Sequence, residues 1–328
     1  MNGHERIVVQ RPTPKRLRYA HMRPLLLWGI LLTAAGVSAY DWSFRVDDPI
    51  KQERLDTHSR IVNRTARAPE RYRVLVPYLL EPPVRALTRF MPYEKAFGRV
   101  YAAFYLLAVT VMLYALHLSL RTFFTTEQAL VGVLVAASTL PMALRYHAYS
   151  PYSLLEPTFF ALALVWLREQ RHVRLVLLML VATLNRETGI FIAFFLLAVA
   201  PLDRPHLRRA AVLLTIWAAT FLGLRWYAGD APRYFDLQTT WHGNTHTLEQ
   251  LAIAATSWIL LLGAFWLYAA IGISRAPAFV RRSALVLPAY ALTILVWGTW
   301  VEVRLWLPMY PVILPLALSH LFPVAGDP

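Results

Sequence analysis

Residues 185–188 read Asn-Arg-Glu-Thr and set a guanidinium and a carboxylate between two apolar runs, 173–184 and 189–202. Those runs hold 12 and 14 residues, whereas a helix crossing the hydrocarbon core needs about 20. Two short helices meeting at this turn would carry Arg186 and Glu187 below the membrane surface. A charge there costs roughly 2.5–3.5 kcal/mol and is kept for pairing or for function. The bland alternative is a structural ion pair from Arg186 to another helix.

Other chemistry-bearing residues fall between apolar runs. Asp41 directly follows the first run, and Asp47-Asp48 comes six residues later. A carboxylate at that place can take a proton from an acceptor hydroxyl or amine, or hold a divalent cation through oxygen ligands. As solvated loop acids, the same residues would only mark the helix end. Arg71-Tyr72-Arg73 can present two guanidinium forks to a phosphate at headgroup depth, or can simply anchor the chain to anionic lipid. His147, in a loop with Tyr146, Tyr149 and Tyr152, is a candidate ligand or proton shuttle; the tyrosines suit an interfacial belt and need no function. Glu156 sits one helical turn further into an apolar run, where burial makes it notable. Glu302 and Arg304 share a short link between two apolar runs and must lie near one surface. His242 and His246 are four apart, but Gly243 and Asn244 argue for a loop there, with no third metal ligand evident.

The elements that must position these groups are membrane helices. The chain has 328 residues, 57% hydrophobic and 16% charged, with a mean hydropathy of +0.44. That is too apolar for an ordinary soluble domain. Apolar runs at 24–40, 97–120, 129–144, 151–167, 173–184, 189–202, 210–228, 250–273, 284–300 and 305–321 give an expected count of about ten. Cysteine is absent, which removes disulfides, thiol catalysis and cysteine-bound zinc. The net charge of +14 is almost all arginine, scattered in short clusters between apolar runs. That pattern suits loops facing anionic lipid rather than nucleic acid.

Lysine and arginine placement sets an expected orientation. With the N-terminus inside, sixteen basic residues fall in inner segments and four in short outer loops. One long helix over 173–202 would reverse everything after it, so the charge count favours a hairpin. The reading is then a basic cytoplasmic stretch at 1–23, whose following run stays as a first helix, and a single transmembrane domain at 24–328. Segment 41–96 forms a long outer loop. Within it, 74–90 is apolar but interrupted by Pro77, Pro82 and Pro83, which fits one or two helices lying in the membrane interface. Most acids, including Glu187 and Glu302, gather on the outer side.

The order of these outer motifs resembles the GT-C superfamily of membrane glycosyltransferases, mannosyltransferase-like members above all. The likeness runs through most of the chain. It rests on Tyr40-Asp41-Trp42 after the first helix, RYRVLVPYLLEPPVR at 71–85, YSPYSLLEPTFFALAL at 149–164 and VATLNRETGIFIAFFLL at 181–197. The resemblance implies an all-α bundle that moves a sugar from a polyprenyl-phosphate donor to a glycan, lipid or protein acceptor at the outer face. It would do so by a single inverting displacement. Asp41 first, then Asp48 or Asp47, would be the base. Arg71, Arg73, Arg186 and Arg304 would hold the donor phosphate, with Glu187, Glu302, His147 and Glu156 in support. A divalent cation stays open as a cofactor, and a bacterial inner membrane is the expected location. A transporter or lipid flippase, a surface-polysaccharide polymerase or ligase, and a non-catalytic assembly subunit remain as alternatives.

Overall fold

The computed structural model describes residues 14–44, 47–144, 149–232 and 237–324. Among these, the chain is helical, with no β-strand. Helix α1 (Pro14–Phe44) leads into the amphiphilic segment, which folds as α2 (Asp48–Val62), a 3₁₀ turn (Glu70–Tyr72) and α3 (Leu75–Leu87). Then come α4 (Tyr93–Arg121), α5 (Thr126–Ala143), α6 (Leu155–Arg168), α7 (His172–Asn185) and α8 (Phe191–Val199). The rest is α9 (Arg204–Ala228), α10 (Leu237–Thr245), α11 (Leu248–Leu262), α12 (Ala264–Gly272), α13 (Ala278–Ser283), α14 (Val286–Trp297) and α15 (Tyr310–Leu321).

Local sequence explains several helix starts. Thr125 and Gln128 form a reciprocal capping box at the head of α5. Asp203 caps α9 by accepting from His206 N, with a proline in the first turn. Thr247 caps α11 in the same way.

Five stretches are long and apolar enough to cross a bilayer: Leu25–Ser43, Tyr93–Arg121, Thr126–Ala143, Arg204–Ala228 and Ala278–Trp297. A sixth exists if α11 and α12, bent by 67° at Gly263, count as one span. Large apolar side chains on two of these helices lie on the surface: Leu25, Leu26 and Leu32 on α1, and Leu222 and Trp226 on α9, are all exposed. Each of the ten expected runs contains helix, but ten membrane-length helices are not present among the described residues. The physical reason is burial. Helices α6 and α15 are apolar because protein surrounds them, with nearly every residue of α15 buried. Prolines 151 and 308 turn the starts of those runs into 3₁₀ segments.

Close approach holds this interior together. Gly272 of α12 lies against the backbone of α15, where any Cβ would collide with the Leu316 carbonyl. Small residues that let backbones meet are the usual device of helix packing in membranes.

Two local expectations change. Helix α1 runs on to Phe44, so Asp41 lies in its last turns rather than after it. Residues 237–245 are helical despite Gly243 and Asn244. Asn244 is spent on tertiary bonds, donating from Nδ2 to Gly298 O at 2.8 Å and accepting from Trp300 N at 2.9 Å. Packing there overrides a weak helix propensity.

Candidate functional site

The Asn-Arg-Glu-Thr turn does break the apolar stretch. Helix α7 stops at Asn185, Arg186 is extended at φ −162° and ψ 145°, and a 3₁₀ turn over Glu187–Ile190 leads into α8. The chain reverses there. His172, at the start of α7, is within electrostatic reach of His206 and Arg209 near the start of α9. The end of α8 is only four residues from that same helix start. Both arms pack on α9, and Gly189 folds back onto Ala182 and Thr183 so closely that a Cβ would meet Thr183 N at 3.0 Å. Trp217 Nε1 donates to Glu187 O at 2.8 Å and pins the turn beside the middle of α9. At 1.5 Å per residue, that point is about 20 Å from Arg204 and about 17 Å from Ala228. The turn therefore lies beside the middle of a membrane-length helix rather than at either of its ends.

Arg73 reaches the turn from the other side because Arg71 and Tyr72 clamp the chain. Arg71 Nη1 donates to Asp230 O at 3.0 Å and Nη2 to Ala228 O, while the Tyr72 hydroxyl donates to Gly229 O at 3.2 Å. These bonds satisfy carbonyls left over at and just beyond the C-terminus of α9. Arg71 is thus occupied by main chain. Arg73, two residues on, is buried and donates from Nη2 and Nε to the two carboxylate oxygens of Glu187, at 2.6 and 3.3 Å.

A second pair lies beside the first. Arg186 Nη1 donates to Glu156 Oε2 at 2.8 Å. Glu156 is 2% exposed and also accepts from the Thr188 hydroxyl and, at 3.3 Å, from the Tyr290 hydroxyl. The Tyr152 ring joins the two pairs, with Arg73 4.6 Å and Arg186 5.8 Å from its centroid. Each buried charge has an opposite partner, as the cost of an isolated ion in a low dielectric requires.

These groups floor a cavity of about 550 Å³. Arg73, Arg186, Glu187, Thr188 and Tyr290 supply its polar end. Its walls are aromatic and aliphatic, with Phe191, Phe194, Ile294 and Trp297 on one side and Trp217 and Phe221 on another. Trp217, Phe221 and Arg225 recur every four residues along one face of α9, so this wall runs about 12 Å toward the Ala228 end. Arg225 closes that end, 4.4 Å over the Tyr72 ring. A polar floor beneath an apolar wall suits an amphiphile whose charged head goes in first.

Arg304 lies elsewhere. Its Nη2 and Nε donate to Glu302 Oε2 at 2.7 and 3.1 Å, and Nη1 donates to the Ser150 hydroxyl. It does not line the cavity, although Gly298 and Leu305 near it do. Asp41 is half-buried and feels the charge of Arg54, which stacks 4.1 Å over the Trp42 ring. Asp47 and Asp48 are exposed at the start of α2, with Asp48 paired to Lys51 at 2.9 Å. None of these three acids lines the cavity. His147 lies outside the described residues.

The cavity lining contains one carboxylate. That carboxylate, Glu187, already gives both oxygens to Arg73. No group of three histidines or acids converges among the described residues. His242 and His246 bring their rings to 4.6 Å without a third ligand among the described residues.

Sequence reasoning passed over Tyr152, Tyr290 and Trp217. A tyrosine in the middle of an apolar run, as Tyr290 is in 284–300, was the available signal that a buried polar partner existed.

Fold and site together define a helical protein with several membrane-length helices and a charged turn, between two short apolar helices, at the floor of an amphiphilic cavity. No family model, curated protein or solved structure matches the chain.

Proposed function

We propose that this protein is a GT-C-like membrane glycosyltransferase, taking a sugar from a polyprenyl-phosphate donor and passing it to an acceptor hydroxyl. The observation that carries this reading is the cavity's division into an arginine-bearing floor and an aromatic wall. An isoprenoid tail gains about 0.8 kcal/mol per buried methylene along such a wall. Its phosphate then arrives at Arg73 and Arg186, whose planar forks match phosphate oxygens. In this reading the ten apolar runs build the bundle, although the short ones do so as buried or re-entrant pieces.

The roles follow from the pairing. The donor phosphate competes with Glu187 for Arg73. When it wins, Glu187 loses its partner and becomes a free carboxylate at the reacting end of the cavity. The acceptor oxygen attacks the anomeric carbon, the bond from that carbon to the phosphate oxygen breaks, and the acceptor proton passes to Glu187. The polyprenyl phosphate leaves with its new negative charge against Arg73 and Arg186. Glu187 replaces Asp41 as base in this reading because it is the carboxylate at the cavity. Glu156 holds Arg186 in place from below. A positioned base contributes about 10²–10⁴ in rate, and fixed positive charge at a leaving oxyanion about 10²–10³ per donor.

The test is transfer of a labelled sugar from a short-chain polyprenyl phosphate in proteoliposomes. Arg73→Ala and Glu187→Gln should each lower transfer by about 10² or more, with the protein still inserted. Transfer at the wild-type rate in both variants would sink the proposal. Equal loss in Asp41→Asn with Glu187→Gln unaffected would return the base to Asp41.

One observation favours a second reading. The charged turn lies beside the middle of α9, the depth at which a transport route places its polar groups. In a lipid transporter the same arginines would escort a headgroup across. Protein-dependent movement of a fluorescent polyprenyl phosphate between leaflets, without sugar release, would support that reading over transfer.

A further inference from the structure

A second polar cavity, of about 310 Å³, lies on the 41–96 segment away from the paired charges. Ser59 and Asn63 from the end of α2, Glu81 and Arg85 from α3, and Thr88 and Tyr93 beyond it line the space. At about 30 Å³ per water it has room for roughly ten solvent molecules or one compact ligand.

The cavity's carboxylate is held in place from behind. Glu81 Oε2 bonds His58 Nε2 at 2.8 Å and accepts from the Tyr93 hydroxyl at 3.1 Å, while Oε1 accepts from Arg85 Nε at 2.6 Å. His58 is fully buried, and its Nδ1 faces the hydroxyls of Tyr101 at 2.8 Å and Tyr149 at 3.1 Å, themselves 2.6 Å apart. Donor counting fixes the direction. A carboxylate accepts, so Nε2 carries the ring proton and Nδ1 accepts in turn. One of the two phenols then donates to Nδ1 and the other donates to that phenol, since both lie within hydrogen-bond distance of Nδ1 and of each other. The donor chain runs from the phenols through His58 and ends on Glu81 at the cavity wall. Burial holds His58 below its ordinary value of 6.5 despite Glu81, so the ring is neutral near pH 7. Burial alone would raise Glu81, but hydrogen bonds from His58, Arg85 and Tyr93 override it and keep the carboxylate ionised.

The lining is chemically mixed and electrically balanced. One carboxylate and one guanidinium cancel, and the rest are two hydroxyls, an amide, a phenol and the apolar Val62. A free phosphate would meet Glu81 at close range, and a metal ion would meet Arg85. A neutral ring bearing several hydroxyls meets neither conflict. It finds an acceptor in Glu81, donors in Arg85 and Asn63, and a flat half-exposed Tyr93 ring for its C–H face. Preorganisation of Glu81 from behind is what a selective polar site requires.

We propose that this cavity is a carbohydrate-binding subsite for a neutral, polyhydroxylated ring. The assignment stands on the cavity's own lining and does not need the transfer reading. If that reading also holds, such a subsite would serve the acceptor, and no lining residue is shared between the two cavities.

The test is saturation-transfer NMR on the full chain in lipid nanodiscs. Its probes are methyl α-mannoside, methyl α-glucoside and myo-inositol, with inorganic phosphate as the charged control. At least one neutral probe should saturate in the millimolar range. Ser59→Leu, which fills the cavity from an exposed position, and Tyr93→Phe should each weaken that probe about tenfold or more. Arg73→Ala should leave the probe's binding unchanged, which separates this site from the donor cavity. No saturation by any neutral probe, stronger binding of phosphate, or undiminished binding in Ser59→Leu would overturn the proposal.

Discussion

The molecule holds two buried polar clusters built on opposite plans. Around Tyr152, both carboxylates are matched by arginine, whose charge is permanent. Around Glu81, the buried partner is His58, a neutral ring tied to two phenols, and arginine appears only at the exposed rim. The difference tracks depth. Deep in the helix bundle a carboxylate needs a full opposite charge, whereas near the surface a dipolar chain suffices and water helps. The first plan rests on permanent arginine charge. The second leaves the smaller cavity open to titration.

Removing one partner from each cluster measures that difference. The largest effect should come from Glu156→Ala, which strands Arg186 below the cavity floor. Loss of a buried partner costs about 3–5 kcal/mol, read as a lowered midpoint of thermal unfolding in detergent. A drop no larger than that of a surface substitution would show that Arg186 finds water or another acceptor. Next, a double-mutant cycle on Arg73 and Glu187 should give a coupling of about 1–3 kcal/mol. Glu187 is partly open to the cavity, so this value should fall below the Glu156 loss. Glu81→Gln should cost about 1–3 kcal/mol, since His58 keeps a neutral acceptor but loses the charge.

The pH response separates the clusters more finely. His58 is held below 6.5 in the folded chain, so the unfolded chain binds more protons just under that pH. Stability should therefore fall as pH drops below about 6.5, by at most about 1.4 kcal/mol per unit. Glu81 is held below its ordinary 4.5, so its contribution is present above that pH and is lost as acid protonates it in the folded chain. Both effects have the same sign. In His58→Gln the upper part of the loss should vanish while the lower part stays. An unchanged profile across pH 5–6.5 would mean that His58 does not titrate on unfolding. The smallest effect is expected at Asp47→Asn and Asp48→Asn. Both acids are exposed, and neither change should move the unfolding midpoint measurably.

The residue pattern alone was enough for the helical class, the apolar runs and the break at 185–188. Each depends on local quantities: hydropathy over a window, a charge inside an apolar run, and a run too short to cross. It also named Arg186, Glu187 and Glu156, because a charged residue among apolar ones stands out without knowledge of its partner, and Arg73 as one of two guanidinium groups flanking a tyrosine. Tertiary structure supplied the partners. Arg73 meets Glu187 across 114 positions and Arg186 meets Glu156 across 30, separations over which no periodicity carries information. The same limit hid the tyrosines, whose ordinary place in interfacial belts masks the few that bind a buried acid. It also hid what anchors the turn, the indole of Trp217 on a later helix. Arg71 and Arg73 show the point most simply. They are two residues apart and chemically identical, yet one caps a helix end and the other floors a cavity, because packing on α9 turns them to different neighbours.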